Sequence, residues 1–148
     1  MFKILFSLLS VLVISSFTFA AEIVFIDIQK IVRDSVAGKE AQSILENMAK
    51  KAQEEISQKE KALKPGDQKA QEELQALAVQ KQQEILAKRE ELIQSFMKNV
   101  QDNISSFAKA KNYTLIIDKQ AVLYGKDELD KTDEFLKYFD ENYKKSKK

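Results

Sequence analysis

Leu63-Lys64-Pro65-Gly66-Asp67-Gln68 contains the only proline of the 148-residue chain, and it separates two long stretches that hold no helix breaker. Proline presets φ and glycine accepts a positive φ, so Pro65-Gly66 marks a tight turn, and Asp67 can cap whatever follows. Upstream, from Lys39 to Leu63, the residues Ala41, Leu45, Met48, Ala52, Ile56 and Leu63 recur mostly at three- and four-residue steps, the seam of an amphipathic helix. Downstream, Leu74, Leu77, Ala78, Ile85, Leu92, Phe96, Val100, Ile104 and Phe107 continue such a seam to about Lys111. Two long helices joined by a tight turn lie antiparallel, so residues 39–63 fold back on 68–92 as an arm about 37 Å long. The second helix then overshoots the first. There Ile93, Phe96, Met97, Val100, Ile104 and Phe107 require another surface, and the strands are the candidates.

Working outward, Ile23 to Ile28 reads as a short strand that is greasy on both faces. One or two helical turns follow over Gln29–Asp34, with Ile28, Ile31 and Val32 on one side, and Ser35-Val-Ala-Gly38 interrupts the chain before the arm. At the other end Asn112 stops the helix, and Tyr113 to Asp118 alternates like a strand. Lys119-Gln120 would turn the chain into Ala121-Val-Leu-Tyr124, making a hairpin closed by Gly125. Thr132 can cap a last helix whose apolar face is Phe135, Leu136, Phe139 and Tyr143. The fold class is therefore α+β, mainly α: a body of residues 21–38 and 93–148, and a helical hairpin arm of residues 39–92 with its tip at 64–67. Three short strands make a poor independent sheet, so strands from several chains are expected to pool. Ile23, Phe25, Ile26, Phe107, Leu115, Ile117, Val122 and Tyr124 are the candidates for that shared core.

Residues 1–20 have the layout of a secretory signal. Lys3 is followed by an uncharged run from Ile4 to Phe19, and Thr18-Phe-Ala20 supplies small residues for a cut after Ala20. The inventory excludes several chemistries. Without Cys, His or Trp there are no disulfides, no His/Cys metal centres and no Cys or His nucleophile. Three isolated glycines cannot form a phosphate-cradling loop, and 24 basic against 23 acidic residues give no electrostatic footprint for nucleic acid. No cofactor, metal or catalytic site is expected, and the chain reads as a non-enzyme. Asp27 and Asp118 could face each other as an acid/base pair, but at strand ends they read as caps. Lys59, Lys61, Lys64 and Lys69 near the tip are interleaved with Glu60, Asp67, Glu72 and Glu73, which reads as a solvated surface.

The arm carries neighbouring apolar residues: Ile44/Leu45, Met48/Ala49, Leu77-Ala-Val79 and Ile85/Leu86. Successive helical residues point about 100° apart, so one of each set can face the partner helix while another looks elsewhere. Two uses are open. The extra residues either broaden the helix–helix contact or offer weak, repeated contacts to an unfolded chain. Ile44, Met48, Leu77, Val79, Ile85 and Leu86 are the candidates for the second use.

Several stretches together resemble the Skp (OmpH-like) family of periplasmic chaperones. They are Ala21–Ile28, Ser35-Val-Ala-Gly-Lys39, the Pro-Gly tip, Phe107-Ala-Lys-Ala-Lys-Asn-Tyr-Thr-Leu-Ile-Ile-Asp118, Ala121-Val-Leu-Tyr124 and Asp130-Lys-Thr-Asp133. The resemblance implies a homotrimer whose strands pool into a small body and whose three arms surround a cavity. It implies a periplasmic holdase that binds unfolded outer-membrane β-barrel proteins without ATP and prevents their aggregation in transit. Lipopolysaccharide or membrane contact is not carried over, because residues 39–92 hold 10 basic against 11 acidic side chains and lack the clustered cations that phosphates need. The alternative reading is a structural coiled-coil envelope protein whose arms pair with a fixed folded partner.

Overall fold

The computed structural model describes residues 22–147, so the expected signal at 1–20 lies outside the described residues. The chain runs β1 (Ile23–Ile26), α1 (Ile28–Asp34), α2 (Val36–Ala62), α3 (Gln68–Lys111), β2 (Leu115–Asp118) and α4 (Thr132–Ser146), with 3-10 turns at Lys119–Ala121 and Asp127–Leu129. It is mainly helical, with one small strand pair.

The arm forms where the breakers place it. Gly66 takes a φ of 87°, and the Asp67 carboxylate accepts a hydrogen bond from the Ala70 N–H at 3.1 Å. With its first turn capped in this way, α3 runs 44 residues to Asn112, whose left-handed φ of 60° ends it. Leu45, Met48, Ala52 and Ile56 of α2 lie in the seam with Leu74, Leu77, Ala78 and Ile85 of α3. Spacing alone puts Glu55 and Glu46 four residues before Lys59 and Lys50, in reach of an ion pair along the helix. Instead Glu55 reaches across the arm to Lys81 at 2.8 Å, and Glu46 accepts from Gln42.

The body departs from expectation at four points. β1 stops at Ile26, because the Asp27 carboxylate accepts from the Lys30 N–H and starts α1. Gly38 is no interruption. Ser35 caps α2 by accepting from the Gly38 N–H, and the helix runs through the glycine. The missing side chain is needed there, since a Cβ would lie 1.8 Å from the Val32 carbonyl oxygen. The expected hairpin does not form. Asp118 caps a 3-10 turn, and β2 pairs in parallel with β1, Ile23 opposite Leu115 and Ile26 opposite Asp118. The whole α2–α3 arm is the crossover between these parallel strands. Finally, Thr132 is the buried first residue of α4 rather than a cap outside it. Its hydroxyl donates to Asp130 and accepts from the Asp27 N–H at 2.9 Å.

The overshooting end of α3 buries itself against α4 and, as expected, against a strand, β2, with Ile26 of β1 and Ile31 of α1 in the same cluster. Phe96 meets Phe139 edge-on at 5.7 Å, and Phe107 meets Phe135 at 5.4 Å. Ile26, Ile31 and Val100 close the cluster, and Tyr113, Leu136, Tyr138 and Tyr143 pack at its rim. The arm proper has only Ala52 fully buried. It is a thin two-helix stalk on a compact aromatic root.

Candidate functional site

The arm sorts its apolar neighbours into two sets. Met48, Leu77 and Ile85 are half-buried along the seam, whereas Ile44, Val79 and Leu86 are exposed, the last two by 55% each. One member of each neighbouring set thus faces the partner helix and another faces away, as a 100° turn per residue requires.

On α3 the outward residues form a row. Val79, Leu86 and Ile93 stand seven residues apart, and the same step leads on to Val100 and Phe107, which are buried in the body. Seven residues rise about 10.5 Å, so the exposed row is a line of separated apolar studs. A helix–helix seam would need a second apolar column between them. The intervening positions are Gln83 and Glu90, both exposed, and Glu90 accepts from Gln94 at 2.8 Å. Charged neighbours are tied down within the helix: Gln80 donates to Glu84, and Lys88 pairs with Glu91 at 2.8 Å. Ile93 and Met97, expected to bury against the strands, are instead 47% and 44% exposed. Ile93 continues the seven-residue row, and Met97 follows it by one helical turn.

The inner seam is held by one ion pair. A hydrogen bond from Lys81 keeps the Glu55 carboxyl below its ordinary range, and the same bond raises Lys81. The root is held by α4. Glu40 accepts from the Tyr143 hydroxyl at 2.8 Å and pairs with Lys147, the Asp140 carboxylate accepts from the Val36 N–H at 2.8 Å, and Asn142 donates to Asn103. The Lys147 bond, followed by that of Tyr143, lowers the Glu40 pKa. These contacts fix the direction in which the arm leaves the body.

Of the shared-core candidates, Phe25, Ile26 and Phe107 are buried within the single chain, and Ile117 and Val122 are half-buried. Ile23 and Leu115 are about half exposed. Tyr124 is 86% exposed and Leu123 beside it fully so, because the segment does not fold back as a strand. Tyr124 is therefore not a core aromatic of one chain. Leu123 was not singled out from the sequence. Its only signal was an apolar residue next to an apolar tyrosine in a segment flanked by turn formers.

Asp27 and Asp118 are both N-caps, occupied by backbone N–H groups. Among the described residues no carboxylate cluster is arranged to hold a metal ion, and no helix is long and apolar enough to cross a membrane. The surface therefore offers apolar contact along the arm and at the base of the body.

Residues 67–139 match the family described as outer membrane protein (OmpH-like). No curated protein sequence matches the chain. A solved structure from Caulobacter crescentus, described as an OmpH-like outer membrane chaperone, is similar in fold with a TM-score of 0.63. The likeness covers 83% of this chain and 86% of that one, at 16% identity.

Proposed function

Because residues 67–139 match the OmpH-like family, we propose that the chain is an ATP-independent holdase of the periplasm. It would take unfolded outer-membrane β-barrel proteins between its arms and prevent their aggregation in transit. The chain would be exported by its first twenty residues, cut after Ala20, and assembled as a homotrimer whose bodies share a core. The observation that carries this reading is the row Val79–Leu86–Ile93. Its studs are apolar enough to hold a hydrophobic segment, yet Gln83 and Glu90 between them deny a continuous helical seam. Several such weak contacts from arms around one client add through effective concentration, while each breaks readily, so release needs no nucleotide. Ile44 on α2 contributes the same kind of contact. The polar gaps also weigh against a fixed coiled-coil partner.

The test is dilution of a denatured outer-membrane β-barrel protein into buffer with the chain, followed by light scattering. Aggregation is suppressed at near-stoichiometric ratio. The variant Val79→Ser/Leu86→Ser/Ile93→Ser loses most of that suppression with its helical circular dichroism unchanged. Absence of suppression by the unaltered protein across several clients defeats the proposal.

A further inference from the structure

We infer that the outward face of α3 recognises the backbone of an extended client segment. Its apolar row takes side chains, while Gln75, Gln82, Gln83 and Gln101 bond the segment's free N–H and C=O groups. Strand-forming segments are thereby selected over helical ones. This selectivity rests on the holdase reading above and adds the client's conformation to it.

At about 100° per residue, Leu86, Ile93 and Met97 fall within about 40° of Val79 around the helix. The four glutamines fall within about 60° of the same line, on both sides of it, and all are exposed. None of the four is hydrogen-bonded to another side chain among the described residues. The polar side chains farther round the helix are different. Gln80 donates to Glu84, Lys88 pairs with Glu91, and Lys98 pairs with Asp102, all of them about 100° or more from Val79. Within the stripe, Glu90 and Gln94 occupy each other. The flanks of α3 are thus satisfied within the helix, whereas the apolar row is bordered by free amides. A glutamine amide carries two N–H donors and a carbonyl oxygen with two lone pairs, the complement of both backbone groups of a peptide.

An extended chain is the partner that fits. Its backbone groups are unpaired at every residue, and each must find a donor or acceptor when apolar contact displaces its water. A helical partner matches the seven-residue step of the studs, but its backbone is already bonded internally and offers the glutamines nothing. From Val79 to Met97 the row is about 27 Å long. That is close to the roughly 25 Å apolar band carried by a strand of a membrane β-barrel, so one row accommodates one strand. Side chains on one face of a strand repeat about every 6.6 Å, whereas the studs from Val79 to Ile93 repeat about every 10.5 Å. No register fills every stud. The glutamine side chains can turn to meet the backbone wherever the strand lies, so an alternating apolar pattern is held without a fixed sequence or position.

The experiment is fluorescence anisotropy with the exported chain and three labelled peptides. The first alternates leucine with serine over about ten residues, the length of a membrane β-strand. The second has alternate amides of that peptide replaced by esters, which keeps the side chains and the extended shape but removes N–H donors. The third carries the same residues reordered to helical spacing and stapled as a helix. The unaltered protein binds the first peptide at least about fivefold more tightly than either of the others. In Gln75→Ala/Gln82→Ala/Gln83→Ala/Gln101→Ala, exposed glutamines give way to a better helix former, so helical circular dichroism is kept. That variant binds the first peptide at least about fivefold more weakly and no longer distinguishes it from the ester. Equal binding of amide and ester by the unaltered protein overturns the inference. So does a glutamine variant that binds like the unaltered protein, a preference for the helical peptide, or no binding of any peptide. Suppression of aggregation of a full-length client is read separately. Suppression without discrimination between amide and ester defeats backbone recognition and leaves the holdase reading standing, whereas discrimination without suppression defeats the holdase reading instead.

Discussion

Gly38 sits where the end of α1 presses on the start of α2, with the Val32 carbonyl oxygen only 1.8 Å from where a Cβ would be. In an exposed helix, alanine in place of glycine gains up to about 1 kcal/mol. Here the added methyl meets backbone, which cannot swing aside, so overpacking of about 1–3 kcal/mol or more wins. Gly38→Ala should lower the urea midpoint, and a midpoint that rises would show that the two helices are less tightly joined. Asp130 gives a pH signature. Burial raises its carboxyl, but hydrogen bonds from Lys119 and Thr132 outweigh that and hold the pKa below its ordinary value. A carboxyl depressed in the folded state stabilises above its unfolded pKa, and the contribution is lost as pH falls through the folded value. Asp130→Asn should therefore be less stable than the unaltered protein at neutral pH, and the gap should close in acid. A gap constant across that range would contradict the assignment.

At the scale of the elements, the arm was legible because its signals are local. One Pro-Gly in a long breaker-free stretch sets the turn, and capping by Asp67 and Asn112 gave α3 its bounds. The body was less legible because its decisive contacts are distant in sequence. β2 pairs with a strand some ninety residues earlier, so reading Ala121–Tyr124 as its hairpin partner was natural and wrong. Gly38 reads as a breaker because helix propensity carries no information about the α1 backbone that requires it. The six arm candidates could be named from the sequence, but not which half of them face outward; only the register against α2 decides that. The same helix also spans two environments. Phe96, Val100 and Phe107 of α3 are buried, whereas its arm portion is half-buried at best. Local opening follows buried apolar contact, so amide hydrogen exchange should be markedly faster over residues 70–85 than over 96–107. Uniform protection along α3 would mean that the arm is covered.

The whole molecule is a thin stalk on an aromatic root, with charged side chains facing water and the outward apolar studs uncovered within the single chain. The root contacts of α4 give the arm a fixed departure angle, so several arms set on one shared body would enclose a space. Breaking that root with Tyr143→Phe and Lys147→Ala should leave the aromatic core intact while spreading the arms, read as a larger radius of gyration in small-angle scattering. An unchanged radius would assign the arm's direction to the core alone.

The most direct measurement is the native mass of the exported protein with one unfolded outer-membrane β-barrel protein. The account predicts a single complex of three chains around one client. A client-free trimer beside aggregated client, or a lone subunit bound in fixed ratio to a folded protein, would contradict it.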